Sequence, residues 1–228
     1  MPVASSLDGG YKGKDHLIAP APSPGYTPNM TSDRKISSVC VFCGSSTGRG
    51  PEYAAAAAAL GAELARRGQR LIYGGGDVGT MGILARSVLA AGGEVTGVIP
   101  RKLYELVEHV ELTELVVAAD MHERKAKMYE GSDAFIALPG GIGTLDELFE
   151  TWTWRGIGYH DKPVGVLDVA GYYELLLAFL RKMVAEGFLP LEHLEDLVVE
   201  SSPGALLDAL AEKQPLKKHK RPERSRTA

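Results

Sequence analysis

Short apolar runs alternate with longer helical patterns through the centre of this 228-residue chain, and this alternation restricts the possible folds more than any other feature. The apolar runs are rich in Val, Ile and Leu, which is typical of strands buried on both faces of a parallel sheet. The pattern predicts an α/β fold, a doubly wound, Rossmann-like parallel sheet with helices on both faces. The predicted strands are residues 39–43, 70–73, 94–99, 115–118, 133–138 and 164–169, and the predicted helices are residues 51–67, 80–91, 121–130, 144–155 and 172–186.

The two ends of the chain differ in composition from this centre. Residues 1–35 are rich in Pro, Gly, Ser and Asp and hold too little apolar surface to order a chain, so we predict a disordered extension. Residues 214–228 hold six basic side chains and one acidic side chain, and we predict a basic, disordered tail. The remaining residues, 36–213, have the length of a single domain.

Charge and hydropathy argue against two classes of partner. The chain has a net charge of −4, and because the tail contributes +5, the rest of the molecule carries −9. An acidic body lacks the basic face that nucleic-acid-binding domains present. No apolar run approaches the ~20 residues that span a bilayer, and no secretory signal is recognisable. We therefore expect a cytoplasmic protein that binds neither nucleic acid nor a membrane.

Two cysteines, Cys40 and Cys43, form a C-x-x-C pattern. Because they lie three residues apart on a predicted strand, their side chains should point to opposite faces of the sheet. No further metal ligands appear near the cysteines, and no partner ligands share the spacing of His122. We interpret both as core cysteines and predict neither a metal site nor a cofactor.

Glycine is over-represented, at 27 residues, and three predicted strands end in glycine-rich turns. Strand-to-helix turns often use glycine for steric reasons alone. However, ligands of an open parallel sheet bind where its strands end, and a glycine backbone followed by a helix N-terminus suits a phosphate. Three such turns together favour a nucleotide or sugar-phosphate site. The turns are residues 43–48, 74–79 and 139–144.

The middle turn, residues 74–79, matches the dinucleotide motif G-x-G-x-x-G. In a dinucleotide-binding protein this motif follows the first strand, whereas here it follows the second. The acidic residue expected at the end of the next strand is also missing, since residues 99–101 read Ile-Pro-Arg. There is no P-loop lysine either. The sequence disfavours NAD and P-loop chemistry.

Two charged residues stand beside these turns, and each has a structural alternative. Thr144 and Glu147 have the spacing of a capping box, in which Glu147 would only cap its helix. Arg124 shares a helical face with Met121 and Met128, which places it beside an apolar surface. A plain surface helix would explain Arg124 equally well.

Both charged residues fall in motifs of a known family. The segments MHERK (residues 121–125) and PGGIGTLDE (139–147) resemble those of the Lonely Guy (LOG) family, the cytokinin-activating phosphoribohydrolases, often mislabelled lysine decarboxylases. The resemblance extends over about residues 39–188 and includes VCVFCGSS (39–46), YGGG (73–76), GVIP (97–100) and HDKPVG (160–165).

The resemblance implies hydrolysis of the N-glycosidic bond of an N6-prenylated adenosine 5′-monophosphate or of AMP, which releases the free base and ribose 5-phosphate. It implies a homodimer, with Arg124 and Glu147 as the catalytic pair. Because an arginine is a poor proton donor, we expect Arg124 to clamp phosphate or polarise the base. The expected substrate contacts are Gly44, Ser45, Gly75, Arg124, Lys125, Gly141, Ile142, Gly143, Thr144, Asp146, Glu147 and Thr153.

The sequence departs from the family pattern at a few positions. Thr80 replaces a usual Leu, Ile142 replaces a common aromatic residue, and Asp146 replaces a common Glu. Family members also often carry a glutamate shortly after the Ile-Pro pair, and this chain offers only Glu105 and Glu108, which are offset from that position. These changes bear on the choice of base and its substituent more than on the reaction. The alternative function is a non-catalytic nucleotide-binding or molybdenum-cofactor carrier protein of related fold, which would not need both Arg124 and Glu147.

Overall fold

The computed structural model describes residues 35–105 and 111–213, all within one compact unit. The predicted disordered extension, except Lys35, and the predicted basic tail lie outside the described residues. No helix in the described part is long and apolar enough to cross a membrane.

Strands and helices alternate along the described chain, as the sequence predicts. The strands are β1 (Ser38–Phe42), β2 (Arg70–Tyr73), β3 (Val95–Pro100), β4 (Glu114–Ala118), β5 (Ala134–Ala137), β6 (Val164–Leu167) and β7 (Val198–Glu200). The helices are α1 (Pro51–Arg66), α2 (Gly79–Ala90), α3 (Arg101–Tyr104), α4 (Met121–Glu130), α5 (Ile142–Gly156), α6 (Glu174–Ala185), α7 (Leu191–Asp196) and α8 (Pro203–Glu212).

The seven described strands form one parallel sheet in the order β4-β3-β2-β1-β5-β6-β7. In register, Cys40 of β1 lies between Ile72 of β2 and Phe135 of β5. The chain moves outward from β1 to β4, crosses back to the other side of β1, and then moves outward again from β5 to β7. The direction therefore reverses between β1 and β5, where doubly wound sheets bind their ligands. The predicted fold is confirmed.

Two hydrophobic clusters cover the two faces of the sheet. One contains buried residues of α1, α2 and α8, and the other contains residues of α4, α5 and α6 together with Leu197 after α7. Side chains of β1 alternate between them, since Val39, Val41 and Cys43 enter the first cluster and Cys40 and Phe42 the second. Both cysteines are buried and free, so their interpretation as core residues on opposite faces is confirmed.

A buried ion pair connects α5 with α7. Arg155, in the last turn of α5, donates through Nη2 to Asp196 Oδ1 at 2.8 Å and through Nε to the other carboxylate oxygen. Its Nη1 donates to the carbonyl of Asp161. The Arg155 guanidinium thereby joins the end of α5, the loop that follows α5 and the last residue of α7.

The prediction that the helix at 172–186 closes the fold is wrong. α7, β7 and α8 follow it, and β7 extends the sheet beyond β6. A three-residue edge strand and a six-residue helix are too short to give a period. The sequence of α8 does indicate a helix, since Ser202 caps it and Pro203 is its first residue. Its buried face consists of Leu206, Leu207 and Leu210. The short α3 helix was also missed.

Candidate active site

The three glycine-rich turns meet at the edge of the sheet where the strands end, which we call the carboxyl edge. The Gly44 amide donates to Thr80 Oγ1 at 3.1 Å, and the Thr80 hydroxyl donates to the Gly44 carbonyl at 3.1 Å. A Cβ on Gly79 would stand 2.3 Å from the Ser45 carbonyl carbon, and a Cβ on Gly44 3.4 Å from the Gly140 Cα. The turns touch so closely because they lack side chains.

Gly74 and Gly75, neighbours in the middle turn, have different structural roles. Gly75 is buried, with φ of +79°, and packs on the backbone of Val98 in β3. It therefore shapes the turn rather than facing a ligand. Gly74 lies against Arg124, since a Cβ there would be 2.3 Å from Arg124 Nη2. Only glycine at position 74 leaves room for the guanidinium.

Arg124 reaches the site from the first turn of α4. Asp120 caps this helix by accepting hydrogen bonds from the amides of His122 and Glu123 at 2.8 and 2.9 Å. One turn on, Arg124 turns inward, where its Nε donates to the Val98 carbonyl at 3.1 Å. Of the two predicted environments, the buried one is confirmed and the plain surface helix is wrong.

Arg124 and Glu147 form a buried ion pair. Arg124 Nη1 donates to Glu147 Oε1 at 2.7 Å, and each side chain is 11% exposed. Burial raises the pKa of the Glu147 carboxyl above its ordinary value, although the Arg124 guanidinium acts against this shift. The pair places a carboxyl of raised pKa beside a fixed positive charge at the carboxyl edge.

The predicted capping box is wrong. Helix α5 begins at Ile142 with Gly141 as its N-cap, so Thr144 lies inside the first turn. The Thr144 side chain packs on Gly140, where a Cβ would stand 2.1 Å from its Oγ1. Because α5 begins two residues earlier than predicted, Glu147 lies beyond the position from which it could cap the helix, and its side chain points at Arg124.

Lys125, the neighbour of Arg124, binds two carboxylates of α5. Its Nζ lies 3.0 Å from Glu150 Oε1 and 3.3 Å from Asp146 Oδ2. Burial alone would lower the pKa of Lys125, but the bonds to Glu150 and Asp146 outweigh it and raise the pKa. The two carboxylates hold the ammonium group beside the Arg124–Glu147 pair.

The start of α5 is open. Gly141 and Gly143 are exposed, a Cβ on either would meet no atom within 4 Å, and Ile142 is 88% exposed. Glycines on both sides of the first helical residue leave backbone amides and the positive dipole end of the helix accessible to an anion. Ser45 is also exposed, in the adjoining turn. In the described residues no group of three or more His, Cys, Asp or Glu is placed to hold a metal ion.

The structure brings most of the predicted residues together. Thr153 is an exception, since it is exposed and lies six residues beyond Glu147, on a different side of α5. Gly75 is at the site but turned into the sheet. Sequence reasoning missed Gly74, Thr80 and Glu150. In the sequence, Thr80 stands out only as a departure from the family pattern, and Glu150 is recognisable as a residue about one turn beyond Glu147.

Comparisons with known proteins show which family the chain belongs to. The profile of a family described as "Possible lysine decarboxylase" matches residues 81–210. Cytokinin riboside 5′-monophosphate phosphoribohydrolase LOG1 of Arabidopsis thaliana is 50% identical over 161 residues, which cover 70% of this chain and 76% of the relative. This chain belongs to the LOG family. A second LOG relative, the probable phosphoribohydrolase LOGL1 of Oryza sativa subsp. japonica, is 53% identical over 152 residues, 66% of this chain and 68% of its own.

Solved structures share the fold of this LOG family member. The molybdenum cofactor binding protein of Rippkaea orientalis has a TM-score of 0.58 and 23% identity, over 77% of this chain and 95% of its own. The molybdenum cofactor carrier protein of Chlamydomonas reinhardtii has a TM-score of 0.56 and 19% identity, over 77% and 96%. At such identities the likeness shows the architecture alone.

Proposed function

We propose that this protein hydrolyses the N-glycosidic bond of cytokinin riboside 5′-monophosphates, and of AMP, to the free base and ribose 5-phosphate. The observation that carries the proposal is the buried Arg124–Glu147 pair, 2.7 Å apart beside three glycine-rich turns. The LOG relatives are named as phosphoribohydrolases of cytokinin riboside 5′-monophosphates, which supports the proposal.

The open start of α5 is the proposed site of the 5′-phosphate. The backbone around Gly141 and Gly143 is exposed there, so the amides and the positive dipole end of α5 are accessible to the phosphate. Anchoring the phosphate fixes the distance from the ribose to Glu147 and lowers the entropic part of the barrier. Phosphate binding thus contributes to catalysis through orientation.

Glu147 is the proposed catalytic carboxylate. Cleavage of an N-glycosidic bond develops positive charge on the ribose, which a nearby carboxylate stabilises. The hydrogen bond from Arg124 uses Glu147 Oε1 and leaves the second oxygen for the ribose or for an attacking water. Burial raises the pKa of Glu147, so the group is a competent acceptor of a proton from that water. Arg124 keeps the carboxyl oriented.

Exposed apolar side chains support a base with an apolar N6 substituent. They follow the carboxyl ends of four different strands, so they surround the same edge as the ion pair. These side chains offer apolar contacts to a prenyl group, which needs no polar partner. They are Val78, Leu103, Met121 and Ile142.

Substitution of the carboxylate tests the proposed function. Glu147→Gln keeps the size of the side chain but removes its charge, so we expect kcat for release of base from isopentenyladenosine 5′-monophosphate and AMP to fall at least ~100-fold. Released base is quantified by chromatography. The control, Glu186→Gln, makes the same change on the exposed end of α6 and should retain full activity. Full activity of Glu147→Gln would disprove the assignment, and nucleotide binding without release of base by the wild type would favour the carrier alternative.

We further propose a homodimer that works in the cytoplasm. The buried thiols of Cys40 and Cys43 are unpaired, which fits a reducing compartment. Support for the dimer comes from an exposed apolar surface on and after α6, which we call the α6 surface. It consists of Leu175, Phe179, Phe188 and Leu191, each more than half exposed.

A further inference from the structure

Two consecutive tyrosines after β6 reach across to the neighbouring strand and its glycine-rich turn. The Tyr173 hydroxyl donates to the carbonyl of Leu138 at 2.6 Å, and the Tyr172 hydroxyl donates to the carbonyl of Gly140 at 2.6 Å. Tyr173 is fully buried, and its amide donates to Asp168 Oδ1 at 2.8 Å. Tyr173 therefore belongs to the core, whereas Tyr172 is 44% exposed and touches the turn that precedes α5.

Tyr172 also touches the first glycine-rich turn through a second ring. Its ring packs edge-on against Tyr53 in the first turn of α1, with ring centroids 5.8 Å apart. Tyr53 in turn lies against Gly48, where a Cβ would be 2.7 Å from its ring. One side chain thus contacts the turn after β5 directly and the turn after β1 through Tyr53.

The hydrogen bond to Gly140 fixes the direction of the next amide. A peptide unit is planar and trans, so the N–H of Gly141 points opposite to the carbonyl of Gly140. Because that carbonyl is directed at Tyr172, the Gly141 N–H is directed away from it. With glycine on both sides, this peptide can rotate at little steric cost unless something holds it.

The backbone that delivers Tyr172 is itself strained. Ala170 has φ of +51°, in the left-handed region that a residue with a Cβ rarely adopts, and Gly171 follows with φ of +70°. Strain of this kind persists where surrounding contacts over-determine the conformation, and it concentrates at functional sites. Here the contacts are those of Tyr172 and Tyr173 on the turn that contains Gly140.

We propose that Tyr172 is a positioning residue for the substrate phosphate: its hydroxyl holds the Gly140–Gly141 peptide so that the Gly141 amide faces the 5′-phosphate. The inference rests on the proposed function, because it names the part of that site that recognises phosphate. Tyr172 acts on the substrate through Gly141, because its hydroxyl donates to the backbone carbonyl of Gly140.

The test is Tyr172→Phe, which removes the hydroxyl and keeps the ring. Loss of the bond should raise KM for isopentenyladenosine 5′-monophosphate, and Kd for ribose 5-phosphate measured by calorimetry, about 3- to 10-fold, with kcat changed less than about 2-fold. The binding of isopentenyladenosine, which lacks the phosphate, should not change. Tyr159→Phe, at an exposed tyrosine after α5, is the control and should behave like the wild type.

The outcomes separate this inference from the proposed function. If the wild type releases base and Tyr172→Phe has unchanged KM and Kd, the inference is overturned and the function stands, even if the variant has a lower Tm. If the wild type releases no base but Tyr172→Phe weakens binding of ribose 5-phosphate, the inference holds and the hydrolase proposal fails. An equal loss of affinity for the nucleoside would also overturn it, because the effect would not belong to the phosphate.

Discussion

His160 is held uncharged by its surroundings. Its Nδ1 accepts a hydrogen bond from the Lys162 amide at 3.1 Å, so the proton is assigned to Nε2, which lies 2.9 Å from the carbonyl of Thr151. Burial lowers the pKa of His160 from 6.5 to about 4, and the positive charges of Lys162 and Arg155 act in the same direction. The neutral ring supports α5 one turn beyond Glu147.

Stability should therefore depend on pH through His160. Between pH 6.5 and pH 4 the unfolded chain binds a proton at this residue that the folded chain does not, so its contribution is complete above pH 6.5 and is lost as the pH falls toward 4. The free energy of unfolding, measured with urea at pH 7.5 and pH 5, should fall less in His160→Gln than in the wild type. Equal slopes for the two proteins would contradict the assignment.

At this scale the sequence predicted the charged pair but not what each residue contacts. Arg124 and Glu147 were predicted from motifs, yet the local pattern assigned Glu147 to a capping box because Thr144 stands at the right spacing. The hydrogen bond between Arg124 and Glu147 crosses 23 residues, and the space for it comes from Gly74 in the turn after β2. Spacing along one helix does not contain that information.

Among the elements, α5 carries a buried ion pair in each of its halves. Glu147 lies in its first half, and Arg155 in its last turn is fully buried with Asp196. An ion pair in the core contributes little by itself, but removing one partner leaves an uncompensated buried charge. The pair is therefore sensitive to single substitutions.

Asp196→Asn should destabilise the fold by about 3–5 kcal/mol, because it removes the charged carboxylate that pairs with Arg155 in the core. The free energy of unfolding in urea measures the effect. In the exposed pair Lys182–Glu186, the matched change Glu186→Gln should cost less than about 1 kcal/mol. A similarly small cost for Asp196→Asn would show that the buried pair does not hold α7 to α5.

The sequence predicted the strands and helices up to residue 186 to within about two residues, apart from α3. Their apolar runs are buried on both faces, which gives a strong pattern. The later elements were missed because β7 is a three-residue edge strand with Val199 exposed, so its composition does not distinguish it from a loop. Tertiary pairing with β6, rather than local preference, makes it a strand.

For the whole molecule, the α6 surface leads to a prediction about assembly. Leu175 is 85% exposed and Phe179 59%, which is unusual for large apolar side chains on a helix. If a second copy covers this surface, Leu175→Asp should shift the protein from dimer to monomer in sedimentation equilibrium. Ala211→Asp, on the exposed side of α8 across the sheet, should leave the dimer intact. A monomeric wild type, or a dimeric Leu175→Asp variant, would contradict the proposal.

The parallel sheet also determines where the two ends of the described chain emerge. Lys35 precedes the start of β1, and Lys213 donates to the carbonyl of Glu195, just before β7 begins. Both residues therefore lie at the amino ends of strands, across the sheet from Arg124 and Glu147. A surface anchor attached through Lys35 or Lys213 would leave the carboxyl edge, which carries the Arg124–Glu147 pair, on the side of the solution, so the protein suits oriented immobilisation from either end.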